Sequence, residues 1–294
     1  MSVASRLGIV FMRAMAHVPL PVSRGFGVLL GRLLHVVAVP RRHVVDTNLA
    51  LCFPQKSAAE RRRIARETFV FVAQSWLDRS WLWHAPESVV RRRLRVVGAA
   101  PEIEEMAHGS APMILFAPHF YGLDAAATAL TMHTARPSTT IYTTQRDPLI
   151  DDWIREGRKR FGNVITLNRT EGIKPIVAGL RKGGLLYLLP DMDFGRDQTV
   201  FVPFYGVMAS TIPSLSRFAR LGKAKVVPIV SRLTPTGYDI EVLPAWQDFP
   251  SDDAVADTAL MNQRLQGYID AMPAQYYWVH RRFKTRPEGE PPVY

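Results

Sequence analysis

Apolar and polar residues change rhythm near residue 94. Beyond it, short apolar runs at 94–97, 112–117, 138–143, 163–167, 185–189, 225–231 and 238–243 read as strands. Between them, the segments 100–108, 121–134, 148–161, 171–182, 210–221 and 254–271 carry helical spacing. This alternation predicts an α/β fold, a mixed sheet flanked by helices. The first third is helical throughout. Residues 7–20 mix Leu7, Ile9, Val10, Phe11, Met12 and Met15 with arginines, and 26–39 is apolar. Each piece is shorter than the ~20 residues of a span, and Pro19 and Pro21 break the stretch between them. They read as interfacial helices that lie on or dip into a bilayer, with arginines snorkelling; two ordinary amphipathic helices packed on a core are the alternative. Pro40 opens a helix towards Leu51. Ser57 and Glu60 form a capping box that starts a long helix through about His84. Its aromatics, Phe69, Trp76, Trp81 and Trp83 among them, read by default as core, and otherwise as a surface for an apolar partner or a membrane interface. The organisation expected is a membrane-associating helical region, 1–95, followed by an α/β domain, 96–294.

Charge sharpens this division. The net charge is +11 over 294 residues. Residues 1–100 hold 16 Lys and Arg against 5 Asp and Glu, and the remainder hold 21 of each, so the whole excess lies in the first third. Basic residues interleaved with apolar ones suit anionic lipid headgroups or an acidic protein. With no zinc-finger spacing or stacked-aromatic motif, nucleic acid is the weakest partner. Arg61-Arg62-Arg63 and Arg91-Arg92-Arg93 read equally as solvated helix faces or as contacts to phosphates or an acidic carrier protein. One cysteine, Cys52, excludes an internal disulfide framework and a cysteine-based zinc site.

The candidate chemistry centres on His119. The buried-strand pattern ends at Ala117-Pro118, and an alanine-rich helix begins near Asp124. A histidine at such a strand-to-helix turn is well placed to take a proton near neutral pH. Asp124 can serve as its orienting carboxylate if the turn at Tyr121-Gly122 folds the chain back, because five residues is not a same-face helical spacing. Asp191 and Asp193 follow the apolar run 185–189 and suit either a cation or a turn. No histidine and carboxylate cluster accompanies them, so a two-metal site is not expected. No G-x-S-x-G elbow is present, which argues against a serine hydrolase.

Several stretches run in order along nearly the whole chain: Asn48 to Pro54, His119 to Asp124, Asp147 to Asp151, Pro190 to Gly195, Val200 to Phe204 and Trp278 to Pro287. Together they resemble the lipid A biosynthesis lauroyl and myristoyl acyltransferases, a branch of the lysophospholipid-acyltransferase-like superfamily with its H-x4-D/E motif. The resemblance implies a glycerolipid acyltransferase-like fold at the cytoplasmic face of the cell inner membrane. It implies acyl transfer from acyl carrier protein to a lipid A precursor and no cofactor; no acyl-enzyme is expected, because no serine or cysteine is placed as nucleophile and Cys52 lies in the N-terminal helical region. His119 would be the general base with Asp124 as its partner, and Arg158 and Asp191 would complete the catalytic set. Arg146, Arg169, Asp193, Arg281, Arg282 and Lys284 would bind substrate. The same chemistry on a glycerophospholipid, glycolipid or ornithine lipid, and a non-catalytic membrane-surface protein of the same fold, are the alternatives.

Overall fold

The computed structural model describes residues 3–294, apart from the Arg169 side chain. Helices α1 (Val3–Met15), α2 (Leu20–Val37), α3 (Val39–Cys52), α4 (Ala58–His84) and α5 (Glu87–Arg93) lead into strand β1 (Leu94–Gly98). Then come α6 (Ala100–His108), β2 (Met113–Phe116), α7 (Leu123–His133), β3 (Ser138–Tyr142), α8 (Pro148–Arg158) and β4 (Val164–Asn168). The chain continues through α9 (Lys174–Arg181), β5 (Leu185–Leu188), β6 (Val200–Phe204), β7 (Val207–Thr211), α10 (Ser214–Gly222), β8 (Lys225–Thr234), β9 (Gly237–Val242) and α11 (Ala254–Asp270).

Seven strands form one sheet in the order β1-β9-β8-β2-β5-β3-β4. Only β8 and β9 pair antiparallel; the other neighbours are parallel. The mixed sheet expected from the alternation is therefore present. Strands β2 (Met-Ile-Leu-Phe) and β5 (Leu-Leu-Tyr-Leu) are buried at every position, as central parallel strands covered on both faces must be. Alternate residues of these strands feed two separate apolar clusters. Ile114, Phe116, Leu186 and Leu188 join Val45, Leu49 and Phe69 from α3 and α4, and Phe53 just past α3. Met113, Leu115 and Leu185 join Ile9, Met12, Leu20, Trp81 and Trp83 from α1, α2 and α4. The helices before β1 thus supply apolar side chains to the core on both faces of the sheet.

Three features depart from the sequence pattern. Strands β6 and β7 form a separate antiparallel hairpin, and β7 takes up residues that read as the beginning of a helix at 210. Its two-residue turn, Tyr205-Gly206, has positive φ at both positions, the backbone of a tight hairpin, but Tyr-Gly lacks the usual asparagine signal. Helix α2 begins at Leu20: Pro19 precedes it and Pro21 lies in its first turn, where a missing N–H costs nothing. The prolines mark the expected break after α1 and open a second helix, whose 18 residues, more than the piece read from 26, are long and apolar enough to cross a membrane by length and composition. The tail from Pro287, whose Pro-Glu-Gly-Glu-Pro-Pro composition is that of a linker, is docked. Val293 and Tyr294 pack on the core, and the Tyr294 hydroxyl donates to Asn48.

Candidate active site

Strand register builds the centre of the site. β2 and β5 are parallel neighbours with Phe116 opposite Leu188. His119 and Asp191 each lie three residues past those partners, so both emerge side by side at the carboxyl edge of the sheet. The His119 Nδ1 lies 2.7 Å from Asp191 Oδ1, and the His119 backbone N–H donates to Asp191 Oδ2 at 3.0 Å. Tyr276 donates its hydroxyl to the same Oδ2 at 3.0 Å. An ionised carboxylate only accepts, so Nδ1 carries the proton and Nε2 is left with a free lone pair. Asp191 is fully buried. Burial by itself would push its carboxyl up, but the His119 charge and the three donated hydrogen bonds outweigh it and hold the pKa below the usual carboxylate range.

The His119 backbone is fixed from the other side. Tyr277 N–H donates to the His119 carbonyl at 3.0 Å and Tyr121 N–H to the Gln275 carbonyl at 3.0 Å. In this extended stretch Phe120 points into the core, while His119 lines a cleft of about 590 Å³. The turn that follows needs glycine: a Cβ on Gly122 would lie 2.7 Å from Ser231 Oγ.

Asp124 does not reach the His119 ring. It sits in the first turn of α7 and is held by two arginines instead. Arg79 Nε donates to Oδ2 at 2.8 Å and Arg158 Nε to Oδ1 at 2.9 Å. Burial would raise its pKa, but Arg158 and Arg79 together lower it. The expected His119 to Asp124 pairing is thus corrected to His119 with Asp191. The spacing already argued against a same-face pair, and the sheet supplies a nearer carboxylate. Arg158 reaches this place because α8 is well started and closely packed. Asp147 caps it, accepting from Leu149 N–H at 2.9 Å, and Pro148 fills its first position. Gly157 lies flat on Trp83 of α4, where a Cβ would come within 2.2 Å of the ring. That close approach sets Arg158 beside Arg79. Sequence reading missed Arg79; its signal was an arginine among the tryptophans of α4, and its guanidinium lies over Trp76, 4.5 Å from the ring centroid. One of its terminal nitrogens, Nη1, is buried without a protein partner. Arg79, Asp124, Arg158 and His119 all line the cleft.

The C-terminal motif divides. Arg282 is 2% exposed and donates to the Ser210 carbonyl at 2.8 Å and Thr211 Oγ1 at 2.7 Å. Asp193 is 2% exposed and accepts from Thr285 N–H at 2.6 Å and Thr285 Oγ1 at 2.8 Å. Both were expected to meet substrate; both instead fasten the tail to the β6–β7 hairpin and to the loop after β5. His280 Nε2 accepts from Asp193 N–H at 3.1 Å. Burial, with Arg282 and His119 adding to it, lowers the His280 pKa to about 4. Asn48 closes the arrangement, donating to the Trp278 and His280 carbonyls at 2.7 and 2.8 Å. Arg281, Lys284 and Arg146 are exposed, and the Arg169 side chain lies outside the described residues. Of the arginine clusters, Arg61 caps the end of α3, donating to the Phe53 carbonyl at 3.2 Å, and Arg93 lies over Trp81.

A histidine held by a buried carboxylate, opening on a cleft with two arginines in an α/β protein, is chemically able to take a proton beside an anionic group. Residues 2–285 match the family model described as bacterial lipid A biosynthesis acyltransferase, and the chain belongs to that family. It is 33% identical over 291 residues to the lipid A biosynthesis lauroyltransferase of Escherichia coli (strain K12), covering 98% of this chain and 94% of that protein. It is 33% identical over 287 residues to a lipid A biosynthesis acyltransferase of Haemophilus influenzae, covering 97% and 88%. The E. coli lipid A biosynthesis myristoyltransferase is 29% identical over 291 residues, covering 97% and 88%.

Proposed function

We propose that this chain acts at the cytoplasmic face of the inner membrane, moving a fatty acyl group from an acyl carrier protein thioester to a hydroxyl of a lipid A precursor. The observation that carries this reading is the 2.7 Å contact of His119 Nδ1 with buried Asp191, which leaves Nε2 as the base on the cleft. Nε2 takes the proton of the acceptor hydroxyl, and the alkoxide oxygen bonds to the thioester carbonyl carbon. The tetrahedral intermediate collapses, the carbon–sulfur bond breaks, and the departing thiolate recovers the proton from the imidazolium. Asp191 fixes the tautomer and stabilises the imidazolium throughout. No acyl-enzyme is needed. Cys52 is buried at the end of α3 and its thiol pKa is pushed up by burial, so it forms little of the nucleophilic thiolate.

Arg158 and Arg79 present guanidiniums to the cleft and suit a phosphate on the acceptor, since such groups bind phosphate bidentately. Arg146, Arg281 and Lys284 are exposed cations available to the same anionic substrates or to the acidic carrier. The apolar length of the cleft, with Leu130, Ile173, Ile176 and Phe218 on its walls, suits the acyl chain. The test is transfer from a panel of acyl carrier protein thioesters to a tetra-acylated lipid A precursor, wild type beside His119→Ala. Transfer by the wild type that is lost in the variant supports the reading; wild-type turnover by His119→Ala refutes the base.

A further inference from the structure

Helix α2 is built inside out. Val22, Phe26, Leu29, Leu33 and Val36 follow one another at steps of four and three residues, so they share one face. That face is exposed, with accessibilities of 61%, 43%, 65%, 56% and 63%. Helix α1 extends it: Leu7, Val10 and Phe11 are exposed too, and the Phe11 ring lies 6.5 Å from that of Phe26. The face turned to the protein holds the small and charged residues. A Cβ on Gly27 would fall 2.6 Å from Gln74 Cγ, and one on Gly31 2.5 Å from Val70 Cα. Arg24 donates to Asp78 at 2.6 Å, Gln74 donates to the Arg24 carbonyl at 3.1 Å, and Tyr238 donates to Asp78 at 2.5 Å. A helix of a water-soluble surface shows the opposite polarity. Close helix contact through glycines spaced by four is the packing of helices whose other side meets lipid.

The charge around the stripe selects the occupant. No Asp or Glu occurs from residue 3 to residue 45, and Arg13 and Arg32 are exposed on the same two helices. An apolar stripe bordered by cations and free of acids fits a bilayer with anionic headgroups. The packing also fixes the orientation. Contacts follow α2 antiparallel along α4, from Arg24 with Asp78, through Gly27 with Gln74 and Gly31 with Val70, to His35 against Phe69, whose rings lie 5.5 Å apart. Opposite the last turn of α2, helix α4 carries exposed Arg66 and Glu67, and it sends its buried side chains into the two apolar clusters. An upright α2 would either drag those charges to hydrocarbon depth or strip Arg24 from buried Asp78.

We propose that α2 lies in the plane of an anionic bilayer as a fixed part of the folded body, its Val22–Val36 stripe among the acyl chains, and that it does not span the membrane. This deepens the reading of a membrane-lipid acceptor, but its readout requires no acyl transfer.

The experiment places single cysteines at His17 and His43, exposed positions on either side of α2, in the full chain. Buried Cys52 stays silent in brief labelling. Inverted and right-side-out inner-membrane vesicles are treated with a membrane-impermeant maleimide. Both positions labelling from the same face is the expected result. Labelling of the two from opposite faces means that α2 spans, and overturns the proposal. In parallel, flotation with vesicles of phosphatidylglycerol and phosphatidylethanolamine compares wild type with the double variant Leu29→Asp/Leu33→Asp. The bound fraction should fall at least tenfold while the melting temperature holds. Equal flotation of a folded variant, or no binding by the wild type, overturns it. Acyl transfer measured on the same wild-type preparation reports separately on the proposed function.

Discussion

Replacing Asp191 by Asn is the most informative single change, because it keeps the shape of the side chain while removing its charge and one of its two acceptor oxygens. Asp191 accepts from the His119 ring, the His119 backbone and Tyr276, and it has no surface on the cleft. Its effect must therefore pass through His119. When the base takes a proton, an imidazolium forms beside the carboxylate. With charge centres about 4 Å apart and an effective dielectric of about 20, that pair is stabilised by about 4 kcal/mol, which is about a thousandfold in rate. Asp191→Asn should thus lower kcat about a thousandfold with KM for donor and acceptor within about threefold. The steady-state transfer assay gives both numbers, and proton NMR gives an independent check. The wild type should show a downfield Nδ1 proton assigned to His119. It should persist in Asp124→Asn, whose partners are Arg79 and Arg158, and vanish in Asp191→Asn. A wild-type kcat in Asp191→Asn, or loss of the Nδ1 signal in Asp124→Asn alone, would refute the assignment of Asp191 as the orienting carboxylate.

Other expectations follow from the same geometry. Arg79→Ala should raise KM for a phosphorylated acceptor about tenfold, one charge-assisted hydrogen bond, and leave KM for the dephosphorylated acceptor unchanged in the same assay. Gly157→Val drives a side chain into Trp83 and should cost at least about 2 kcal/mol by denaturant unfolding, with activity falling further as Arg158 is displaced. Asn48→Ala removes the donor to the buried Trp278 carbonyl, while the His280 carbonyl keeps the Arg282 N–H at 2.9 Å, and should cost about 1–3 kcal/mol, measured the same way. The pH dependence of stability tests His280. Its folded pKa of about 4 lies below the ordinary 6.5, so the unfolded chain binds the proton first. Its contribution is complete above pH 6.5 and is lost as pH falls towards 4, at most about 3 kcal/mol in all. The slope over that window should shrink in His280→Gln, and an unchanged slope would refute the claim.

The sequence by itself determined most of the elements and the place of His119. Apolar runs and helical spacing are properties of neighbours along the chain, so the seven main-sheet strands, the capping box at Ser57 and the turn at His119 were legible. The family motifs also brought Asp191 and Arg158 into the candidate set. What only the tertiary structure decided was which groups meet. His119 takes Asp191, 72 residues away, in preference to Asp124, because β2 and β5 are parallel neighbours in register, a pairing that no local pattern encodes. Arg79 joins the site because α8 closes on α4 through Gly157. Asp193 and Arg282 look like substrate ligands in the sequence, yet the docked tail turns both inward and uses their charge to hold itself. The orientation of α2 was likewise hidden. Its composition is that of a membrane helix, but only its packing on α4 shows that Arg24 faces the protein and the valines and leucines face out. Local chemistry writes the elements; long-range packing chooses the partners of each charged group, because an ion pair forms between whatever the fold brings together.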